Sequence, residues 1–228
     1  MKAASFIFIG ELMEILYEDK AIIVVVKPVG ILSEETSDGK GLVNLLKEHT
    51  KGDIFPVHRL DKGVGGVMVY AKTKQSAANL SKQVQDRSFE KEYLAAAYGI
   101  MEEKEGIMED LLFKDSKKNK TFVVKRERKG VKKAKLSYKV VSEGIKDGKE
   151  VSLASVKLFT GRSHQIRVQF ASRKHPLLGD RRYGSADGVK EIALWSRRTG
   201  FYHPVSKEWL SFEKYPGEES DIYNLFAR

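Results

Sequence analysis

The sequence predicts a single α+β domain over residues 1–228, with a mostly antiparallel or mixed central sheet and flanking helices. Three observations predict it. Strand-like and helix-like segments are interspersed without regular strand-helix-strand alternation. No repeat, low-complexity tract or Pro/Gly/Ser-rich linker divides the chain. With 228 residues and 41% hydrophobic side chains, the chain is large enough for one sizeable core.

Taken in order, Ile15 to Tyr17 and Ala21 to Lys27 are β-rich and flank Glu18-Asp19-Lys20, which reads as a hairpin ending at the Lys27-Pro28 break. Gly30 opens a loop. Ser37 or Asp38 is placed to cap a short helix whose Leu42, Leu45 and Leu46 share one face, with His49 in its last turn. Val67 to Ala71 reads as a short buried strand. Thr73 precedes a second helix, in which Ala77, Leu80 and Val84 recur at helical spacing until about Arg87. Tyr93 to Tyr98 is a strand ended by Gly99, and Val151 to Phe159 is another, followed by the turn Thr160-Gly161-Arg162. The next stretch fits two readings: Ile166, Val168 and Phe170 alternate as in a strand, while Ser163 is a cap for a helix running to Ser172. The helix is favoured.

Charge is distributed unevenly. Against 31 Asp plus Glu stand 41 Lys plus Arg, a formal net charge of +10 with a pI near 9.5. From Lys114 to Lys139 there are 12 basic and 2 acidic side chains, so this basic insertion holds the whole excess. A solvated loop is the ordinary reading of a charge run. Here Phe122, Val123 and Val124 interrupt it, Gly130 supplies a turn, and Leu136, Tyr138 and Val140 alternate as in a half-buried strand. A basic hairpin or strand pair is predicted, contacting the phosphates of a polyanion with strong salt dependence.

Several chemistries are excluded or fail. With no Cys there is no disulfide, thiolate site or cysteine nucleophile. The longest aliphatic run, Ala21 to Val26, is far short of the ~20 residues a membrane helix needs. Met1 to Ile9 faintly imitates a secretion signal, but Glu11 and Glu14 interrupt it, and a cytoplasmic location is predicted. Gly63-Val64-Gly65-Gly66 lacks the third Gly of a dinucleotide fingerprint and the Gly-Lys-Ser/Thr of a phosphate loop, so no nucleotide cofactor is expected. Gly161-Arg162-Ser163-His164-Gln165 lacks the closing Gly of a serine-hydrolase elbow. Histidines 49, 58, 164, 175 and 203 have no metal-ligand spacing, and no metal is expected.

Two fragments hold. His58-Arg59-Leu60-Asp61, after Pro56 and before a Gly-rich turn into a strand, sets a carboxylate on a framed loop. Alone, it reads equally as a structural Asp paired with its neighbouring Arg. Gly161-Arg162-Ser163-His164-Gln165-Ile166-Arg167 lies over a hundred positions later. An Arg from it, folded against Asp61, would hold the carboxylate ionised and aimed.

These fragments occur in order with Ala71-Lys72-Thr73, Lys91-Glu92-Tyr93 and His175-Pro176-Leu177-Leu178-Gly179-Asp180. Together with Glu18-Asp19 through Lys27-Pro28-Val29-Gly30 upstream, and Ala193-Leu194 and His203-Pro204 downstream, they resemble the RluA-like pseudouridine synthases over about Ile15 to Leu225. The resemblance implies the pseudouridine synthase fold with an RNA-binding cleft. It also implies isomerisation of uridine in ribosomal or transfer RNA, with no metal or organic cofactor. Carried over by position, Asp61 is the nucleophile, Tyr93 stacks on the target base and is the candidate for proton transfer from carbon 5, and Arg167 pairs with Asp61. Arg59 matches the Arg of the Asp loop and is expected to support the flipped nucleotide's place in the stack. His58, Arg162 and His164 join it as RNA-facing or supporting residues. The basic insertion adds Lys117, Lys118, Lys125, Arg126, Lys132 and Lys133 as phosphate contacts. Such a reaction needs an extruded base, an aromatic face to retain the detached uracil, and a carboxylate able to attack and leave.

The chain departs from the family pattern at two places. Val64-Gly65-Gly66-Val67 stands where relatives usually show Thr-Ser-Gly-Leu, removing two hydroxyls that could brace the loop, and Trp195 stands where relatives commonly have His. The small RNA-binding domain that many relatives carry ahead of the catalytic one is not expected before Ile15. A monomer is expected. Two rivals remain: a noncatalytic RNA-binding protein that keeps the fold, and a nucleoside glycosylase in which water replaces the base.

Overall fold

A computed structural model describes residues 7–8, 13–185, 188–217 and 221–226. Its strands are β1 (Ile7–Phe8), β2 (Glu14–Glu18), β3 (Ile22–Lys27), β4 (Phe55–Pro56), β5 (Gly65–Ala71), β6 (Glu90–Tyr98), β7 (Glu105–Asp115), β8 (Lys120–Val124), β9 (Val131–Lys146), β10 (Lys149–Leu158), β11 (Leu194–Tyr202) and β12 (Trp209–Glu213). The helices are α1 (Leu42–Thr50), α2 (Lys74–Asp86), α3 (Gln165–Ser172) and α4 (Asp221–Asn224). The α+β class is as the sequence predicts. Where one domain is expected, the contacts group the chain into two compact units: Met1–Lys91 with Ser196–Tyr215, and Glu92–Trp195 with Pro216–Arg228. Of the signal-like stretch, only Ile7–Phe8 fall among the described residues. No helix among the described residues is long and apolar enough to cross a membrane.

In the first unit the strands run β1-β2-β3-β5-β11, with β4 paired to β5 and β12 to β11. The predicted hairpin is β2-β3. Asp19 closes its turn by accepting the Ala21 and Ile22 N–H groups at 2.7 and 2.8 Å. The branched run of β3 pairs antiparallel with the wholly buried β5, from Ile22 opposite Ala71 to Lys27 opposite Gly66. Ile22, Val24, Val67, Val69, Leu80 of α2, Phe89 and Phe201 pack into one core. Thr73 caps α2 by accepting the Ser76 N–H at 3.1 Å, as predicted. The cap of α1 is a correction. It is Gly41, not Ser37 or Asp38, because Thr36 turns inward: its Oγ1 accepts the Gly41 N–H at 2.7 Å, and its own N–H donates to Asn44 at 2.9 Å.

In the second unit the strands run β6-β10-β9-β7-β8, all antiparallel. The basic segment is the end of β7, all of β8 and the first half of β9. Leu112 and Ala134 pack with Val168 of α3 on one face. On the other, Leu94, Ala96 and Leu153 meet Ile222, Tyr223 and Phe226 of the C-terminal segment, and Trp195 packs there too. The favoured helix is α3, but its cap is His164 rather than Ser163. The Ser163 carbonyl instead accepts the Thr121 hydroxyl at 2.9 Å.

Candidate active site

Asp61 sits in the loop between β4 and β5, and that loop is fixed at successive residues. The His58 Nε2 accepts the Val69 N–H at 3.4 Å, the Leu60 carbonyl accepts the Ser33 hydroxyl at 3.0 Å, and the Asp61 carbonyl accepts the Val64 N–H at 2.9 Å. The Lys62 carbonyl accepts the Gly30 N–H at 2.8 Å. Tyr70 adds a second tier, donating to the Ser33 carbonyl at 2.8 Å. Apart from the bond from Val64, which closes a turn within the loop, these ties come from the loop after β3 and from β5, so a backbone brace exists without the two family hydroxyls.

Beneath this loop lies Lys27, wholly buried. Its ammonium donates to the carbonyls of Pro28 and Ile31 at 2.8 and 2.7 Å, and more distantly to Lys62 at 3.4 Å. Burial lowers its pKa to about 8, and the Asp61 carboxylate opposes that shift by favouring the ammonium. In the sequence, the only sign of this role is a lone Lys closing a branched apolar strand before Pro.

The close approach of β11 accounts for the glycine that this chain keeps at the third position of the family's Thr-Ser-Gly-Leu string. A Cβ on Gly66 would come 2.2 Å from the Ser196 carbonyl oxygen, and Gly66 has φ 115. Only glycine fits there. Arg59 is exposed and pairs at 2.8 Å with Glu34, also exposed, a contact weak enough to be exchanged for another partner. His58 is tied inward, its ring 5.3 Å from Phe89.

In the second unit, Tyr93 is buried on β6 opposite Val156, which is opposite Tyr138. Cross-strand partners share a face, and Tyr138 packs its ring edge on Phe170 of α3 at 6.0 Å. Tyr93 therefore stands on the α3 side of the sheet. Arg167, on α3, is buried and held in a bidentate pair with Asp180, Nε to Oδ2 at 2.7 Å and Nη2 to Oδ1 at 2.8 Å. Gly179 before it has φ 71, and a Cβ there would meet the Glu191 carbonyl oxygen at 1.9 Å.

Arg162 braces its turn by donating from Nε to the Lys133 carbonyl at 3.0 Å. Gln165 is buried and accepts from Thr160 and the Arg162 N–H at 2.8 and 3.0 Å. His164 shares a hydrogen bond with the Tyr183 hydroxyl at 2.9 Å. Lys117, Lys118, Lys125, Arg126, Lys132 and Lys133 are all exposed, the first two in the turn between β7 and β8, the next two just after β8, and the last two on β9. The predicted site residues thus form a loop group in the first unit (His58, Arg59, Asp61) and a sheet-and-helix group in the second (Tyr93, Arg162, His164, Arg167 and the basic set). Asp180 and Tyr183 went unassigned in the sequence, although Asp180 closes a quoted string.

The other histidines serve the scaffold. His49 meets Glu18 at 2.8 Å, His203 meets Asp19 at 2.9 Å, and the His175 Nδ1 meets the Tyr98 carbonyl at 2.9 Å.

Residues 21–172 match the family model described as RNA pseudouridylate synthase. A protein of Aquifex aeolicus named as an uncharacterized RNA pseudouridine synthase is 39% identical over 222 residues, spanning 88% of this chain and 68% of that protein. The ribosomal large subunit pseudouridine synthase D of Borreliella burgdorferi is 35% identical, over 93% of this chain and 67% of its own. Among solved structures, human RNA Pseudouridylate Synthase Domain Containing 1 superposes with a TM-score of 0.75 at 23% identity, over 90% of this chain and 83% of that one, a likeness of fold.

Proposed function

The chain belongs to the RNA pseudouridylate synthase family, and from that premise we propose that it isomerises a uridine of ribosomal or transfer RNA to pseudouridine with Asp61 as nucleophile. The enzyme class follows from the family; the substrate and the residue roles are our reading. The observation that carries it is the Asp61 loop, pinned at the backbone of Leu60, Asp61, Lys62 and Val64 and at its His58 end, with a buried cation beneath. A nucleophile must hold its position while a covalent bond forms and breaks, and such bracing supplies that.

In this mechanism the Asp61 carboxylate forms a covalent bond to the sugar or the ring, and the bond from sugar to N1 breaks. The uracil turns, carbon 5 bonds to the sugar, and the Asp61 bond is released. The carbon-5 proton leaves and N1 gains one, so the product is an isomer. Tyr93 covers the detached base and serves the carbon-5 proton; Arg167, fixed by Asp180, and Arg59 serve the same nucleotide. Lys117, Lys118, Lys125, Arg126, Lys132 and Lys133 hold flanking phosphates and help offset the few kcal/mol of extruding the base. The protein works as a monomer in the cytoplasm, its two units acting as one catalytic domain. The name of the Borreliella burgdorferi relative favours ribosomal RNA.

The test is release of tritium from transcripts of ribosomal and transfer RNA labelled at carbon 5 of uridine. Wild type is expected to release it and Asp61→Asn to release none. Salt-sensitive binding without release would favour a noncatalytic RNA-binding protein, and free uracil would favour a glycosylase.

A further inference from the structure

Tyr183 has no part in that mechanism, yet two segments of the second unit, β8 and the start of α3, converge on it. Its hydroxyl accepts the Thr121 N–H of β8 at 2.8 Å and shares the 2.9 Å hydrogen bond with the His164 Nδ1 at the start of α3. Burial raises its pKa above the ordinary phenol value, so the hydroxyl keeps its proton. The Arg167 guanidinium stands 5.2 Å from the ring centroid, and the Lys120 ammonium stands at the same distance. Tyr183 and the carboxylate that grips Arg167 belong to one turn, closed by the Tyr183 N–H donating to the Asp180 carbonyl at 3.0 Å.

The two contacts on Arg167 constrain different things. Asp180 fixes the guanidinium along its edge through two parallel hydrogen bonds, but such a pair still permits the plane to tilt about that edge. An aromatic face against the same cation opposes that tilt. His164, the third group, is held in the left-handed region at φ 52, a conformation a non-glycine residue keeps only where its surroundings impose it.

We propose that Tyr183 is a positioning residue for the isomerisation: its ring sets the plane of the Arg167 guanidinium, and its hydroxyl ties that guanidinium to β8, the strand flanked by Lys117, Lys118, Lys125 and Arg126. The inference rests on the function proposed above. A tyrosine that merely filled space beside Leu112, Ala134 and Val168 would be replaceable by any side chain of similar bulk.

The experiment compares Tyr183→Phe, Tyr183→Trp and Tyr183→Leu for kcat, for RNA affinity, and for the Arg167 Nε–H resonance and its solvent exchange by NMR. Tyr183→Phe keeps the ring and loses the hydroxyl; its RNA affinity is expected to fall about fivefold, the size of one hydrogen bond, with a smaller loss in kcat. Tyr183→Leu loses the face, and its kcat is expected about tenfold below that of Tyr183→Phe, with a shifted, faster-exchanging Arg167 Nε–H. Tyr183→Trp is expected to restore kcat toward the Tyr183→Phe level, which keeps the test decisive if the Leu variant fails to fold. Equal kcat and an unmoved Arg167 resonance across the folded variants would overturn the inference. A wild type that makes no pseudouridine would overturn the proposed function instead, and the resonance alone would then decide whether Tyr183 sets the guanidinium.

Discussion

His58 connects a buried ring to the pH at which the protein unfolds. Burial, and then the nearby Lys91, lower its pKa from the ordinary 6.5 to about 3. The folded state therefore refuses a proton that the unfolded chain accepts, so stability is complete above pH 6.5 and is lost as pH falls toward 3. At pH 5 the loss from this group is about 2 kcal/mol. Urea titrations at pH 7 and pH 5 are expected to show His58→Gln losing less stability between the two than wild type by about that amount. Lys27 is the corresponding test of the Asp61 brace. Lys27→Met leaves the Pro28 and Ile31 carbonyls without their donor, and the amides of Gly30 and Val64 are expected to exchange with solvent about tenfold faster. At this scale the sequence was legible where function rests on a residue's own loop: Asp61 announced itself through Pro56, Arg59 and the glycines that follow. It was illegible where partners are remote. Nothing at Thr121 signals that its N–H reaches Tyr183, 62 residues on.

Secondary structure was readable wherever a segment buries one side and contains its own cap. Helix α2 has both, and Thr73→Ala is expected to cost about 1 kcal/mol in urea unfolding by removing the acceptor of the Ser76 N–H. Helix α1 misled because its cap is supplied by a turn doubling back through Thr36 and Asn44. Helix α3 was ambiguous for a physical reason: Gln165 through Phe170 are all buried, so the polar face that distinguishes a helix from a strand is missing. The basic strands make the testable claim at this scale. If four of their cations each neutralise a phosphate, replacing Lys125, Arg126, Lys132 and Lys133 with Gln flattens the slope of log affinity against log salt by about 3. Measuring RNA binding between low and moderate salt checks it, and an unchanged slope would remove these residues from the interface.

At the scale of the whole chain, composition disclosed the location of the charge excess but not the division into two units. Unit boundaries fall inside β6 and β11, at 91/92 and 195/196, where no linker-like composition marks them. The first unit is discontinuous. It needs Phe201, fully buried in its core, and the β11-β12 pair to finish what residues before 92 begin. A chain cut after Trp195 is expected to lose protease resistance throughout its first 91 residues while wild type keeps it. The same discontinuity constrains synthesis. Residues 92–195 must all be made before the segment that completes the first unit begins to emerge. At 5–20 residues per second those 104 residues occupy about 5 to 20 s. Through that interval β5, covered on that side only by β4 at Tyr70 and Ala71, presents the unpaired edge of Gly65 to Val69, all apolar or glycine, the kind of surface that pairs with a neighbouring nascent chain. A chaperone able to cover one strand edge for some seconds would then govern the yield of folded protein more than any contact in the finished molecule.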